Sequence, residues 1–396
     1  MNAVKELLFQ NIRSQKAQML AMADYICDHP EVGLQEYQAC SLLSDYLRTH
    51  GFEVETGVGG LETAFRGKYV CGSGDGPSIG LLCEYDALEG IGHGCAHHLQ
   101  GPCIVGTAVA LKEVLGDRWP GRIIVYGTPA EETVGGKIIM QKNGCFEDID
   151  VAFMMHGSGA GTRVDTKSMA LTSYTVKFHG RNAHAAIHPE EGRSAVDAML
   201  LSFQGIEFLR EHVRGDVRIH YTILDGGGPA NAVPESAAAQ YILRSYSRDY
   251  LNEILLRFQK ILQGAALMTE TEYDLSTESE LDSKIPVLKL NDLLMENARL
   301  VGAPNIQPPR ERTGSTDFGN IMYRVPGSCI RVECDGGAAV PSHSREAVAL
   351  GKCQSAHEAI LYGSEILAAS AYDLLSNPLL LQEIQEEFQR NKVDCR

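Results

Sequence analysis

The sequence predicts an α/β protein in which a larger domain is interrupted by a smaller ferredoxin-like (βαββαβ) domain. Three observations predict it. Short apolar runs bounded by glycine, proline or charge recur as far as Met155, with helical stretches between them, which is how a sheet covered on both faces reads. Near Ser168 those runs give way to alternation, and the elements then follow the order strand, helix, strand, strand, helix, strand, the split βαββαβ unit. Beyond the polar segment STESELDSK, helices and short strands return. The implied boundaries are 1–167 and 281–396 for the two parts of the larger domain and 168–280 for the insertion. A chain of 396 residues suits two or three units better than one core.

Taken in order, residues 4–50 read as helical, with Leu7, Leu8, Ile12, Met19, Leu20 and Met22 at roughly helical spacing. Pro30 breaks that pattern, and a second helix follows through Leu42, Leu43 and Leu47. Strands are expected at Ile79–Cys83, Ile123–Tyr126 and Val151–Met155, with helices at Ile104–Leu115 and Gly136–Asn143. In the insertion, Ala170–Gly180 alternates as a half-exposed strand does. A helix over Arg193–His212, strands at Val217–Leu224 and Ala237–Ser245, a helix over Asp249–Gln263 and a strand at Thr269–Leu275 complete it. The glycines of DGGG (225–228) lack the lysine and following helix of a phosphate loop, and read as a permissive turn between two strands. The tail from Asn377 to Lys392 is amphipathic, and its stretch QEIQEEFQRNK is a solvated helix face.

Composition narrows the partners. Hydrophobic residues make up 44% and charged residues 22%, the profile of a globular protein. The net charge of −16, from 35 basic and 51 acidic residues, argues against nucleic acid or an anionic membrane, both of which need a positive footprint. Lys5, Glu6, Arg13 and Lys16 interrupt the N-terminus, so no signal peptide is expected, and no segment is apolar for long enough to span a membrane. Eleven scattered cysteines do not form a secreted disulfide framework. A reducing cytoplasm is the expected compartment.

Four places concentrate metal-binding or acid–base groups: LLCEYDALEGIGHGCAHH (81–98), YGTPAEE (126–132), FMMHGS (153–158) and AVPSHSRE (339–346). Alone, each has an ordinary reading. Cys95 and His97 could be a buried thiol and a loop histidine, Glu131 and Glu132 a surface acid pair, His156 a hydrogen-bonded strand end and His343 a plain loop residue. The first three follow apolar runs, and α/β sheets gather their chemistry where strands give way to loops. Two adjacent glutamates at one strand end can divide labour. One binds a metal, and the other takes a proton from water that the metal has acidified. Cys95, His97, Glu132, His156 and His343 would suffice for two ions sharing a ligand, the arrangement expected for splitting an amide.

On these motifs the chain resembles the M20 metallopeptidase family, in particular its amidohydrolase branch of aminoacyl-conjugate and aminobenzoyl-glutamate hydrolases. It is also similar to the aminoacylase-1-like dipeptidases. The resemblance runs from HPEVGLQE (29–36) to PSHSRE (341–346), through EYDALEGIGHGCAHH, GTPAEE, GRNAHAAIHPEEG (180–192), NAVPESA (231–237) and GSTDFGN (314–320). It implies a zinc-peptidase-like catalytic domain with an inserted lid and dimerisation domain, and hence a homodimer. It implies two divalent metal ions (zinc, manganese or cobalt), bridged by Cys95 and held by His97, Glu132, His156 and His343. Glu131 takes the place of general base and acid, and Asp86 that of a group orienting a metal-bound histidine. His184 matches the histidine that reaches the substrate carbonyl oxygen, usually in the partner subunit's site. Asn231 and Arg244 correspond to residues near the substrate carboxylate. Dipeptides, acylated amino acids and aminobenzoyl-glutamate all remain open as substrates.

The chain departs from the family pattern at three positions. Ala96 stands where glycine is usual, His98 follows where Asp or Asn is usual, and Glu89 stands where proline is common. An alanine fits unless the backbone needs positive φ, in which case the loop carrying two ligands is strained. His98 is expected to fill a place behind the ligands. Other readings are a ureido-type amidohydrolase, a thiol hydrolase using Cys95, and an inactive metal-binding homologue that serves as a regulatory or binding subunit. The last predicts loss of the base or of a ligand, and neither is lost.

Overall fold

A computed structural model describes residues 2–159, 161–311 and 313–394. The chain divides into two compact units, one formed by Met1–Lys167 and Lys284–Val393, the other by Ser168–Ser283. In chain order the strands are β1 (Glu53–Thr56), β2 (Phe65–Cys71), β3 (Ser78–Cys83), β4 (Gly121–Gly127), β5 (Val151–Ser158) and β6 (Arg163–Val164). Then follow β7 (Ala170–His179), β8 (Arg218–Asp225), β9 (Ser236–Ser245), β10 (Glu272–Leu281) and β11 (Gly327–Glu333).

Among the described residues, the first unit is built on a seven-stranded sheet ordered β1-β2-β4-β3-β5-β11-β6. The four strands β4, β3, β5 and β11 are mutually parallel, β2 and β6 flank them antiparallel, and β1 pairs antiparallel with β2 at the outer edge. Strand β3 is buried at every position, because its alternate residues meet covering layers on opposite faces. On one face lies the helix Gln100–Leu115, whose Ile104, Val105, Val109, Leu111 and Leu115 are buried. Full burial of each such side chain stabilises by roughly 1.5–3 kcal/mol. On the other, Leu82, Ile124, Tyr126 and Met154 pack with Met140, Phe146, Phe318 and Ile321. Since the four central strands run parallel, their carboxyl ends at Gly127, Cys83, Ser158 and Glu333 share one edge of the sheet. That edge is where ligands bind in such folds.

The second unit is a four-stranded antiparallel sheet ordered β10-β7-β9-β8. Helices Ala195–Arg210 and Arg248–Thr269 pack on it around Phe178, Phe203, Tyr241 and Phe258. Ser194 and Ser247 cap these helices by accepting from the Asp197 and Tyr250 amides, which fixes where each begins. This is the βαββαβ unit.

Several elements differ from the expected ones. The N-terminal helical region is three helices, Ala3–Ser14, Lys16–Asp28 and Tyr37–Thr49. The last helix of the second unit passes Gln263 and ends at Thr269, and its last strand runs through the polar segment to Leu281. Strand β10 lies at a sheet edge and shows solvent much of its surface, so its sequence lacks an apolar run. Strand β11 is one of the short strands expected beyond the polar segment, but its place is not legible in the sequence. It carries Ser328, Arg331 and Glu333 among its apolar residues, and so does not read as a buried strand.

Candidate metal centre

Each of the four loops that leave the shared strand edge brings a chemical group to it. Strand β3 ends at Cys83, and Glu84, Asp86, Cys95 and His97 follow before the helix at Gln100. Strand β4 ends at Gly127, where Thr128 ties back to the Cys83 carbonyl through both its amide (2.8 Å) and its hydroxyl (2.9 Å). The amides of Gly135 and Gly136 then return to the Ala130 carbonyl at 3.0 and 3.1 Å, folding a tight turn that presents Glu131 and Glu132. A Cβ at position 136 would meet the Pro129 carbonyl oxygen at 1.9 Å, so the turn needs a glycine there. His156 is near the end of β5. His343 lies beyond β11, held by its amide to the Gly94 carbonyl at 3.0 Å.

The six groups converge. Ligand atoms lie within 4.8 Å of one another in each of three sets: Cys95, His97 and His156; Cys95, Glu132 and His343; and His97, Glu131 and Glu132. Cys95 Sγ is 3.6 Å from His156 Nε2, and His343 Nε2 is 3.3 Å from Glu132 Oε1. His97 Nε2 is 3.2 Å from Glu84 Oε2 and 3.9 Å from Glu132 Oε1. Yet His97 Nε2 and Glu132 Oε1 are buried with no hydrogen-bond partner among the described residues. Polar atoms so close that do not hydrogen-bond, and that burial would otherwise penalise by roughly 1–3 kcal/mol each, fit cation ligands. Cys95, Glu131, Glu132, His156 and His343 line a cavity of about 490 Å³, within the usual range for small-molecule sites.

Asp86 serves two loops at once. Its Oδ1 is 3.0 Å from His97 Nδ1, and its Oδ2 accepts from the Glu132 amide at 2.9 Å. A carboxylate on Nδ1 fixes the imidazole orientation and leaves the Nε2 lone pair free for a cation. Burial pushes the Cys95 thiol up to about 11, which is the wrong direction for a thiolate nucleophile. Burial, with the Glu84 and Asp317 carboxylates beside it, pushes Glu131 well above the usual carboxylate range.

A fourth acidic set, Glu84, Glu131 and Asp317, is not evident from the sequence. It holds an ammonium of its own. The fully buried Lys137 reaches Glu84 Oε1 at 2.5 Å and Asp317 Oδ1 at 2.8 Å. Glu84 and Asp317 lie inside motifs that read only as family markers, and a lysine on a short helix gives no local sign of burial. Glu36 is likewise missed by sequence reasoning. It is buried, accepts from the Ala130 amide at 2.8 Å and from the Thr63 hydroxyl at 2.9 Å, and so braces the turn before Glu131.

The departures can now be placed. Ala96 has a left-handed backbone, φ 60°, so the loop does hold an alanine where glycine is easier. His98 is buried and donates from Nε2 to the Gly351 carbonyl at 2.8 Å. It makes no hydrogen bond to a candidate ligand among the described residues. His184, Asn231 and Arg244 belong to the second unit. There His184 bridges Ala232 and the Ala185 amide donates to the Asn231 carbonyl at 3.2 Å, while Arg244 stands on β9 opposite Leu171 and Arg218.

Residues 167–269 match the family profile of the M20 peptidase dimerisation domain. The chain is 32% identical to an Xaa-Arg dipeptidase of Mus musculus, covering 93% of this chain and 88% of that protein. It is 28% identical to one of the subunits of the p-aminobenzoyl-glutamate hydrolase of Escherichia coli, covering 98% of this chain and 96% of that protein. Among solved structures, a dinuclear metal-binding peptidase of the M20 family from Bacillus subtilis shares the fold with a TM-score of 0.70 at 17% identity, covering 92% of this chain and 99% of that one.

Proposed function

The chain belongs to the M20 peptidase family, and on that footing we propose that it hydrolyses the amide bond of an N-acyl or N-aminoacyl amino acid. Two divalent ions would be held by Cys95, His97, Glu132, His156 and His343, with Cys95 between them. The observation that carries this reading is the convergence of those atoms, with His97 Nε2 and Glu132 Oε1 buried and without a hydrogen-bond partner among the described residues. Thiolate, imidazole and carboxylate together suit zinc, cobalt or manganese. The relatives' substrates, p-aminobenzoyl-glutamate, dipeptides and N-acetyl-L-cysteine, all carry an amide at an amino acid's nitrogen.

When bound, the ions supply an acidified water and a polarised amide carbonyl. The residues of the chain do the rest. Glu131 takes the proton from the attacking water and passes it to the departing amine, a task that favours a carboxyl with a raised pKa. The Thr316 hydroxyl donates to its Oε1 at 3.2 Å and steadies it. Lys137 pairs with both Glu84 and Asp317, so these acids around Glu131 have a cation of their own. Asp86 keeps His97 facing inward. His184 is proposed as donor to the substrate carbonyl oxygen, where such a donor is often worth several kcal/mol, and Asn231 and Arg244 as contacts to the substrate carboxylate.

The test is amine release from a panel of N-acyl amino acids and dipeptides by protein loaded with manganese, zinc or cobalt. Chelation should abolish release and metal should restore it. Glu131→Gln should lower kcat by roughly 10²–10⁴-fold while the bound metal per chain is unchanged. Turnover that survives chelation, or that survives Glu131→Gln, would defeat this reading.

A further inference from the structure

One wall of the cavity carries charge that hydrolysis at the metal centre does not use. Arg331 on β11 donates from Nε to Asp165 Oδ2 at 2.8 Å. Arg310 closes a fork on the same carboxylate, Nε to Oδ1 at 2.5 Å and Nη2 to Oδ2 at 2.9 Å. The Lys284 ammonium lies 3.6 Å from Oδ2. Arg163 stands directly opposite Arg331 across the β6–β11 pair, and its buried Nε has no hydrogen-bond partner among the described residues. Counting guanidinium groups alone, three cations stand against one carboxylate. Like charges opposed across a strand pair destabilise it, and buried charge needs a partner.

This wall faces the candidate metal centre. Lys284, Arg310 and Arg331 line the cavity together with Cys95 and His156, and Arg331 Nη1 is 3.1 Å from His156 Nδ1. The acids of the same cavity are already engaged. Glu84 is taken by Lys137, and Asp335 accepts from the Gly337 and Val340 amides. Glu131 and Glu132 belong to the reacting centre. On this wall, then, the guanidinium groups outnumber the carboxylate they share.

We infer that Arg310 and Arg331, with Lys284, form a carboxylate subsite that docks an acidic group of the substrate while its amide lies at the metal centre. The inference rests on the function proposed above and sharpens it: the substrate is an anion, and a basic side chain directed to this wall would meet like charge. Arg310 is the key residue, since its side chain is about a third exposed and the guanidinium edge not turned to Asp165 suits a second carboxylate. The group is either the side-chain carboxylate of an acidic amino acid, with the α-carboxylate left to Asn231 and Arg244, or the α-carboxylate itself, docked here in place of those two contacts; the two share this chemistry.

The test is calorimetric binding to manganese-loaded Glu131→Gln protein, in which slow turnover leaves the ligand intact. The probes are N-acetyl-L-glutamate, N-acetyl-L-glutamine and the α-amide N-acetyl-L-isoglutamine. N-acetyl-L-glutamate should bind about ten- to a hundredfold more tightly than the probe that lacks the docking carboxylate. Weak binding of the glutamine form assigns the side chain; weak binding of the isoglutamine form assigns the α-carboxylate. Adding Arg310→Gln should bring the probes to within about twofold of each other. Should that protein fail to fold, Arg310→Lys keeps a charge beside Asp165 without the fork, and should lose most of the discrimination. Equal binding of all three probes, or ratios untouched by either Arg310 variant, overturns the inference. Binding is read without turnover, so a parent enzyme that releases no amine would unseat the proposed hydrolysis separately from the subsite.

Discussion

Ala96, Ala130 and His343 take left-handed backbone conformations, with φ of 60°, 60° and 63°, and each sits in or beside a loop that supplies a candidate ligand or the candidate base. A Cβ in that region meets the carbonyl oxygen and costs roughly 1–2 kcal/mol. Strain of this kind persists where the surroundings over-determine the loop, and it gathers at functional sites. At Ala96 the surroundings are visible: a Cβ on Gly157 would come 2.7 Å from the Ala96 methyl, so the two backbones are pressed together. Ala96→Gly should relieve the clash, while the extra freedom of an unfolded glycine returns about 0.4–1 kcal/mol of the gain. The expected net is a stabilisation of up to about 1 kcal/mol, read as a rise of about 1–2 °C in thermal midpoint, with metal content unchanged. A fall in midpoint would mean that the methyl's packing against Gly157 outweighs the strain.

Glu36 shows how an element far along the chain supports the reacting loop. It precedes the helix Tyr37–Thr49, and burial, opposed by the Thr63 and Ala130 donors and assisted by Asp86, pushes its carboxyl up to about 7. A group whose pKa is raised on folding adds stability that is fully present below its unfolded value and is lost as pH rises through the folded one. Glu36→Gln mimics the neutral acid, since the amide can still accept from the Ala130 amide and donate to the Thr63 hydroxyl. The wild-type melting temperature, measured against that of Glu36→Gln, should therefore fall between about pH 4.5 and about pH 7 and then level off. Parallel melting curves across that window would show that Glu36 is not buried as a neutral acid. The same element scale explains what the sequence disclosed. Continuous apolar runs marked β3, β4 and β5, because strands covered on both faces must be apolar throughout. The alternation in β7 and β9 similarly marked the βαββαβ unit. Strand β11 stayed hidden because Arg331 interrupts it, and Arg331 faces the cavity. Chemistry-bearing residues in short motifs were legible; the buried partners Lys137, Asp317 and Glu36 were not, because a charge that is buried only by tertiary packing leaves no local pattern.

On the scale of the whole molecule, the candidate base and ligands all belong to the first unit, whereas His184, Asn231 and Arg244 all belong to the second. The second unit matches the M20 peptidase dimerisation domain. Its strand β8 is a sheet edge that exposes Ile223 and Leu224, and an exposed apolar edge is a template for pairing with another chain. Were a homodimer joined through this unit to bring His184 of one copy to the Glu131 of the other, it would have a consequence that a site completed within one chain lacks. Glu131→Gln and His184→Ala should each be nearly inactive alone. Co-expressed at equal levels, about half of the dimers are mixed, and each mixed dimer holds one site with both Glu131 and His184 intact. Activity should then recover to about a quarter of the wild-type value, with a dimer mass seen by light scattering. If His184 served its own chain, every site in a mixed dimer would lack one of the two groups, and mixing would restore nothing. The recovery therefore separates a shared site from a private one without requiring the identity of the preferred substrate, provided that one substrate from the panel is turned over.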